Sequence, residues 1–278
     1  MQEWKADFAE YVRELLPEEP AERFIALARP AIRLSTTDEP EIAVGRLGGL
    51  PRLPEDVPWP RLRGEDGEPM EFLAELDCAA LAAYGSDIGL PAEGGLLFFA
   101  TWDTRAARVI LLPPGTVRGP DREVPVPSPD RRYAEVRSYA EVLLAAETSP
   151  TWPARGHDDI FRLGEDFWDR PCGEEPWEVF ADLLAEFEEA EGGRRHQVGG
   201  WSDALHWPVE AHAAYNVAGL SPDDPGFAEE ALQWVNLLQL DEDNGMLFGD
   251  GGILIFGIRR DRLAARDFGQ VISYTQGH

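Results

Sequence analysis

The pattern of apolar and polar positions along the chain predicts both helices and strands. At the start, apolar residues recur at the spacing of one helix face, and Pro17 ends the predicted helix; these residues are Trp4, Phe8, Tyr11, Val12 and Leu15. A shorter helix is predicted over 21–28, and alternation of polar and apolar residues predicts a strand over 31–37. The density of Pro and Gly between residues 44 and 69 excludes a long helix or a central strand there.

The middle of the chain mixes short strands with turns. Four elements are predicted first: strands over 70–77, 95–101 and 108–112, and a helical turn over 78–83. Residues 113–131 have the composition of an extended, Pro-rich connector that lies on the surface. Ser138 and Glu141 have the spacing of a capping box, so a helix is predicted to begin at Ser138, with a loop from Thr148 to Pro176.

Residues 176–192 carry the clearest helical pattern in the sequence, because an apolar stripe lies opposite an acidic face and Gly192 ends the pattern. The stripe consists of Trp177, Phe180, Leu183, Leu184 and Phe187. The remainder of the chain is predicted to be rich in strands: a short helix over 227–232, strands over 234–240, 253–258 and 271–275, and a helical turn over 260–265.

Two parts of the chain repeat the same order of features. The first contains Gly48-Gly49, FLAELD at 72–77 and GGLLFF at 94–99; the second contains Gly199-Gly200, NLLQLD at 236–241 and GGILIF at 251–256. An alignment of the two pairs Leu73 with Leu237, Leu76 with Leu240, Leu97 with Leu254, and Phe99 with Phe256. We interpret the repeat as two related halves of one body, and chance similarity between apolar strands is the alternative.

Together these patterns predict an α+β fold: a mixed, largely antiparallel β-sheet body built from two related halves with helices packed around it. A single domain is expected over residues 1–278. Within it we distinguish an N-terminal helical extension, a first half, a connector with helices, and a second half, which cover 1–40, 41–112, 113–192 and 193–278.

Net charge is the strongest feature of the composition. The chain has 52 Asp and Glu residues against 25 Lys and Arg residues, a formal net charge of −27. Such a charge repels nucleic-acid phosphates and anionic membranes, and it accelerates encounter with a basic protein. We therefore expect a basic protein partner, and neither nucleic acid nor a membrane. The alternative is that the acidity serves solubility alone.

A cytoplasmic location is expected, because no apolar run approaches the roughly 18 residues that span a bilayer and the first residues lack the apolar segment of a signal peptide. Cys78 and Cys172 do not have the spacing of a disulfide framework or a zinc site. The sequence signatures of common hydrolases, nucleotide-binding proteins and zinc peptidases are absent. We therefore lean towards a protein that is not an enzyme.

Several segments resemble the YwqG-like family of uncharacterised bacterial proteins. They are GRLGGLPRLPEDVPWP at 45–60, EPMEFLAELD at 68–77, HQVGGW at 196–201, and the long block WVNLLQLDEDNGMLFGDGGILIFGIRRDRLAARDF at 234–268. The resemblance implies a mixed α+β fold built around a β-sheet, a bacterial cytoplasmic protein, and an accessory or immunity-type role that rests on binding. This chain departs from the family pattern at Trp201 and Ser202, where members tend to have Tyr and Pro, and at Phe248, where they tend to have Trp.

The acidic turn that begins at Asp241 is the candidate site for a divalent cation. Ca²⁺ and Mg²⁺ prefer oxygen ligands, and the candidate ligands here are Asp241, Asp243 and Asp250. The spacing is not that of an EF-hand, and the alternative is a hairpin connection whose side chains cap their own backbone. No other cofactor is expected. A second acid/base or metal cluster is conceivable from four histidines, with ordinary packing as the alternative: His157, His196, His206 and His212.

Arg46, Gly48, Gly49 and Trp59 are candidates for lining a ligand or partner cleft, because Arg offers a fork of donors to a carboxylate or phosphate. In the alternative, Trp59 anchors a loop and Arg46 pairs with an acidic residue. The corresponding candidates in the second half are His196, Gly200 and Trp201.

The leading hypothesis is a non-enzymatic protein-binding module, immunity-like in type, whose acidic surface meets a basic partner. The alternative is an enzyme, or a protein that binds a small ligand or metal, with a cleft between the two halves. Oligomeric state is not fixed by the sequence.

Overall fold

The computed structural model describes residues 3–62, 67–101, 103–104, 106–125, 136–153, 157 and 196–277. In this part of the chain, ten strands form one sheet, and every neighbouring pair is antiparallel. The strands are β1 Arg29–Thr37, β2 Gly45–Leu47, β3 Glu71–Asp77, β4 Gly95–Ala100, β5 Ala107–Leu112, β6 Val142–Thr151, β7 His196–Gly199, β8 Trp234–Asp241, β9 Ile253–Arg259 and β10 Ile272–Gln276. Their order across the sheet is β10-β9-β8-β7-β1-β6-β2-β3-β4-β5.

Six α-helices accompany the sheet in the described residues, so the predicted α+β class and the largely antiparallel sheet are confirmed. The helices are α1 Glu3–Leu15, α2 Glu18–Leu27, α3 Cys78–Leu81, α4 Val209–Asn216, α5 Phe227–Ala231 and α6 Arg260–Ala264. Single 3₁₀ turns cover Pro40–Ile42, Ala82–Tyr84 and Phe268–Gln270. None of the helices in the described part of the chain is both long and apolar enough to cross a membrane.

The sheet curls until its two edge strands approach each other. The Thr104 Oγ1 atom, just before β5, lies 3.2 Å from Thr275 Oγ1 on β10, and Ser273 Oγ donates to the Thr104 carbonyl at 2.8 Å. Phe98 of β4 and Phe256 of β9 meet edge to face, with ring centroids 5.2 Å apart. The main hydrophobic core therefore fills the concave face of the sheet and draws side chains from both ends of the strand order.

Smaller apolar clusters cover the convex face, as the alternation of side chains along each strand requires. The helices α1 and α2 pack through Phe8 and Phe24 and stack on Trp152, just past β6. The turn-rich segment packs Trp59 against Phe99 of β4. Helix α4 lays Val209 on strands β9 and β10, and α5 packs beside it.

Segment 1–40 contributes more than two helices, because its strand β1 lies in the middle of the sheet. β1 pairs with β6 from Arg29 to Thr37 and with β7 from Ala31 to Leu34. The surface connector is confirmed over 113–125, where the chain is irregular and mostly exposed. The predicted helix over 176–192, together with Cys172, lies outside the described residues.

The helix predicted to begin at Ser138 is wrong, since β6 runs through this segment. Glu141 does not cap a helix; its carboxylate accepts from the Arg46 guanidinium. β6 instead forms a nine-residue ladder with β1 and a second ladder with β2. Two long-range ladders outweigh a four-residue capping signal, which contributes about 1 kcal/mol.

The alignment of the two repeated segments is wrong by one residue in their second strands. β3 and β8 each carry a β-bulge, at Leu73 and at Leu237, the two residues that the alignment pairs. Beyond the bulges, Leu76 pairs with Leu96 and Leu240 pairs with Leu254. Leu96 and Leu254 thus share the concave core, whereas Leu97 faces the opposite side. A shift of one residue moves every side chain to the other face of the sheet. The Gly-Gly pairs that open GGLLFF and GGILIF match in the alignment, and this match hid the shift.

Candidate functional site

Arg46 is held by acidic side chains and by its own turn. Cross-strand pairing places it between Glu75 of β3 and Leu143 of β6. Its guanidinium donates to Glu75 Oε2 at 2.9 Å and to Glu141, and its side chain is only 12% exposed. It also donates to the carbonyls of Gly48 and Leu50, so that one side chain fixes the shape of the diglycine turn.

The first diglycine has a steric requirement for glycine. Gly48 and Gly49 have φ values of 59° and 73°, which side chains rarely adopt. A Cβ on Gly48 would lie 2.2 Å from the carbonyl oxygen of Ala140. Trp59 stays apart from this turn: it is 6% exposed, and its indole donates to the Met70 carbonyl at 2.9 Å. Trp59 therefore anchors the turn-rich segment to the sheet.

A groove of about 380 Å³ opens beside Arg46. Its lining consists of Gly45, Arg46, Arg52, Glu75, Asp77, Arg118, Glu141 and Leu143. The guanidinium groups here already have acidic partners, since Arg118 pairs with Glu75 at 2.5 Å and Arg52 pairs with Asp121 at 2.8 Å. Among the described residues, three cationic and three anionic side chains line the groove, and their formal charges balance.

The second diglycine repeats this local geometry with a neutral side chain. Gly199 and Gly200 have φ values of 71° and 64°. Gln197 Nε2 donates to the carbonyls of Gly199 and Trp201, two and four residues ahead, as Arg46 does to Gly48 and Leu50. Gln197 also faces Gln239 across the ladder, where Arg46 faces Glu75.

Trp201 is a buried link between this turn and the N-terminal helices. It is 2% exposed, and its indole donates to the Leu27 carbonyl at 2.7 Å. The Arg29 guanidinium lies over its ring, 3.3 Å from the ring centroid. His157 meets the same ring edge to face. Gly200 approaches Thr151 so closely that a Cβ would lie 2.5 Å from Thr151 Oγ1.

Glu210 is the residue in this region that sequence reasoning missed. Its side chain is fully buried on α4, with Arg29 Nη1 and His157 Nε2 each 3.8 Å from its carboxylate. Burial raises the pKa of Glu210 to about 7, and the nearby Arg29 charge opposes that rise. The sequence signal for a buried Glu210 is its position among Val and Ala residues in V-E-A-H-A-A, which leaves helix α4 without a wide polar face.

A third place brings together three predicted residues. His196, Asp241 and Asp243 line a depression of about 410 Å³ at the ends of β1, β7 and β8. The other lining residues are Leu34, Ser35, Thr36 and Glu242. We call these seven residues the acidic depression. Among the described residues, its lining contains three carboxylates and neither Lys nor Arg.

His196 is locked inside this depression. Its Nδ1 accepts from the backbone N–H of Asp241 at 3.0 Å, so the neutral ring carries its proton on Nε2. Nε2 in turn lies 3.5 Å from Asp243 Oδ2. Burial lowers the pKa of His196, against the opposing effect of Asp243. Both ring nitrogens are engaged within the protein, which does not suit a general base.

The acidic turn uses its side chains to hold its own backbone. Asp241 Oδ1 accepts from Glu242 N, Asp243 Oδ1 accepts from Asn244 N, and Glu242 Oε1 accepts from the backbone N–H groups of Phe248 and Gly252. Asp250 does not line the depression. Within the described ranges, no three His, Cys, Asp or Glu side chains are grouped to hold a metal ion.

The remaining candidates lie elsewhere. His206 approaches the Gly277 carbonyl, and His212 stacks on Tyr274 with ring centroids 3.7 Å apart. Cys78 is fully buried, and burial raises its pKa to about 11, which keeps the thiol protonated at neutral pH. A further depression of about 580 Å³, which sequence reasoning did not indicate, has both apolar and charged lining residues, among them Val217, Trp234 and Arg259.

Comparison with protein-family models matches residues 45–276 to one family, described as a domain of unknown function (DUF1963). The chain belongs to the DUF1963 family. The DUF1963 match contains both diglycine turns, the groove, and His196, Asp241, Glu242 and Asp243 of the acidic depression, and it leaves out α1, α2 and β1. The match does not name the YwqG-like family, so that resemblance stays an expectation. A search of curated proteins found no match.

Proposed function

We propose that the protein is a non-enzymatic binding module that takes a cationic side chain of a basic protein partner into the acidic depression. The observation that carries this proposal is the lining of the depression, whose described residues combine three carboxylates with a buried, neutral imidazole and include no Lys or Arg. An immunity-type role in the cytoplasm, as the YwqG-like resemblance implies, is the form of this function that we favour.

Charge on two length scales supports this proposal. The formal net charge of −27 favours encounter with a basic protein over a long range. At the depression, the Asp243 side chain is 45% exposed and accessible to a partner. A Lys or Arg side chain entering there gains charge-assisted hydrogen bonds with the accessible Asp243 carboxylate.

Binding of a defined peptide tests the proposal. The probe is a labelled peptide of Gly-Arg repeats, and its citrulline analogue has the same shape without the charge. Asp243→Asn keeps an oxygen that can accept from Asn244 N, whereas a change at Glu242 would disturb the turn. Asp223→Asn is the matched control, because it removes the same charge from an exposed residue outside the depression.

We expect Asp243→Asn to weaken binding of the arginine peptide by roughly fivefold, about 1 kcal/mol, and Asp223→Asn to change it by less than twofold. Binding should also weaken with added salt, because the charges at the mouth are exposed. Equal effects of the two variants, or equal binding of the citrulline analogue, would contradict the proposal.

The groove beside Arg46 supports a second candidate function, the binding of a small zwitterionic ligand. Its balanced charges are arranged so that a ligand with one carboxylate and one amine can exchange partners with Arg118 and Glu141. A thermal-shift screen of amino acids and short peptides tests this candidate, since a ligand that binds only the native state raises the melting temperature. A shift that Arg118→Gln abolishes would support it, and no shift would count against it.

We also infer that the two halves of the sheet are related. The strand order is symmetric about β1 and β6, and bulges occur at Leu73 and Leu237. Both diglycines have positive φ, and a side chain two residues earlier in the chain holds each turn. These four correspondences in strand order, bulges and turn geometry support a common origin of the halves over chance similarity between apolar strands.

A further inference from the structure

The buried carboxyl group of Glu210 has no role in the proposed binding function. It is the second residue of α4, and its side chain has no exposed surface. Within the described part of the chain, no other residue donates a hydrogen bond to either carboxylate oxygen, and only the backbone N–H of Glu210 itself favours the charged form in this way. A carboxylate buried with so few donors is costly, and protonation relieves most of that cost.

A buried polar surface adjoins α4, which packs against β8. Gln197 on β7, and Asn236 and Gln239 on β8, are fully buried. The Gly199 carbonyl accepts from both Gln197 and Asn236, which places these two amides side by side. Gln197 Oε1, Asn236 Oδ1 and Gln239 Nε2 have no hydrogen-bond partner among the described residues. Segment 199–203 covers part of this surface, since the Trp201 carbonyl accepts from Gln197 and Gln239 Oε1 accepts from Asp203 N; water that enters at α4 would complete the remaining hydrogen bonds.

The apolar contacts of α4 come mostly from small side chains. Four of its eight residues are buried Val or Ala, and three of these are Ala211, Ala213 and Ala214. His212 adds one larger contact, its stack on Tyr274. At roughly 25 cal/mol per Å² of apolar surface, Ala contributes little on burial, so the charge state of Glu210 is a sizeable part of the free energy of docking.

In the described part of the chain, each element that packs near Glu210 contributes charged or titratable groups. On α4 itself lies His212, whose pKa burial lowers, and on β10 lies Tyr274, whose pKa burial raises well above its usual value. The other groups are Arg29 on β1, Asp87 in the turn after α3, Arg260 on α6, and His157. Arg29 also pairs with Asp87, with 3.8 Å between the charged atoms, so its charge is shared.

We propose that Glu210 is a proton-controlled latch: the neutral carboxyl holds α4 on the sheet, and the carboxylate loosens α4 so that water reaches the adjoining polar surface. The pKa of about 7 is higher than the usual value for Glu, so the docked state binds more protons than the open state. Docking therefore has its full strength below pH 4.5 or so and weakens as the pH rises through about 7.

Hydrogen exchange of the α4 amides at pH 6 and pH 8, corrected for the intrinsic exchange rates, tests the latch. We expect the opening equilibrium of residues 209–216 to increase about tenfold between these pH values in the unmodified protein. Glu210→Gln should remove this change. Glu229→Gln is the control, because Glu229 is exposed on the adjacent α5 and its loss should leave the tenfold change intact.

Two outcomes would overturn the latch: equal opening at both pH values in the unmodified protein, or a tenfold change that persists in Glu210→Gln. If Glu210→Gln does not fold, the unmodified protein still decides the matter through carbon-13 glutamate labelling. A carboxyl resonance that titrates near pH 7 together with the α4 exchange supports the latch, and the absence of such a resonance overturns it.

Discussion

At the scale of single residues, the two diglycine turns depend on backbone conformations that other residues adopt only with strain. Gly48 combines a φ of 59° with a backbone oxygen 2.2 Å from the position of an added Cβ. Gly89 has a similar φ of 74°, yet nothing lies within 4 Å of its added Cβ. The two positions therefore separate the cost of a left-handed backbone from the cost of a collision.

We predict that Gly48→Ala lowers the free energy of unfolding by about 3 kcal/mol, the sum of backbone strain and overpacking. Gly89→Ala should lower it by only about 1 kcal/mol, from the left-handed backbone alone. Urea denaturation of both variants measures the difference. Equal losses at the two positions would mean that the Ala140 carbonyl moves aside without cost.

His196 makes a pH-dependent contribution to stability. Burial lowers its pKa in the folded protein, so the unfolded chain binds the proton first as the pH falls. We predict that this contribution lowers the free energy of unfolding below about pH 6.5, the ordinary value for His. In His196→Asn, whose side-chain oxygen can still accept from Asp241 N, the loss on acidification should be smaller.

Urea denaturation at several pH values measures this effect, with the exposed His206→Asn as control. Glu210 acts in the opposite direction, because its raised pKa adds stability as the pH falls. A background of Glu210→Gln therefore isolates the histidine. If acidification affects His196→Asn and the unmodified protein equally in that background, the imidazole does not carry the effect.

At the scale of elements, local pattern predicted helices from their amphipathic faces and strands from their alternating or continuous apolar residues. Helices α1 and α2, and strands β3, β4, β5, β8, β9 and β10, fall where periodicity placed them. β6 did not, because its state depends on ladders with β1 and β2 that lie over 90 residues away in sequence. β2 and β7 are only three and four residues long, which is too short to show a hydrophobic period.

The same limit applied to the candidate sites. The sequence grouped His196 with Asp243 in no motif, yet the pairing of β7 with β8 carries the histidine to the acidic turn. Arg46 and Trp59 appeared together as cleft residues because they are close in sequence. Strand register directs Arg46 to the groove, whereas Trp59 lies in the turn-rich segment and packs against Phe99. The small residues on either side of Glu210 were the strongest sequence signal that it is buried.

The proposed relation between the two halves predicts how Arg46 tolerates substitution. Arg46→Gln places at the first turn the residue type that holds the second, and it can donate to Gly48 and Leu50. We predict a loss of about 1 kcal/mol for Arg46→Gln and about 2–3 kcal/mol for Arg46→Leu, which leaves the turn carbonyls without their donor. Urea denaturation compares the two, and equal losses would argue against equivalent turns.

At the scale of the whole molecule, the two halves share one core. Leu96 and Phe98 from the first half pack in the same cluster as Leu254 and Phe256 from the second. We predict that Phe256→Ala lowers the free energy of unfolding by about 3–5 kcal/mol. Tryptophan fluorescence and far-UV circular dichroism should show one coincident transition. Two separate transitions would mean that the halves unfold independently.

Charge is the other property of the whole molecule, and it makes weak binding of any polycation easy to observe. A net charge of −27 attracts basic peptides to the whole surface, so affinity alone does not locate a site. Among the described residues, the depression is lined by three carboxylates and no Arg, whereas three Arg accompany the three carboxylates of the groove beside Arg46. Location is therefore the property to measure.

The most direct measurement maps the backbone amide chemical shifts of the labelled protein during titration with the Gly-Arg peptide. The account predicts saturable shifts concentrated at residues 34–36, 196 and 241–243, which weaken in Asp243→Asn and persist in Asp223→Asn. Shifts spread evenly over exposed acidic residues, or centred on the groove beside Arg46, would contradict the acidic depression as the binding site.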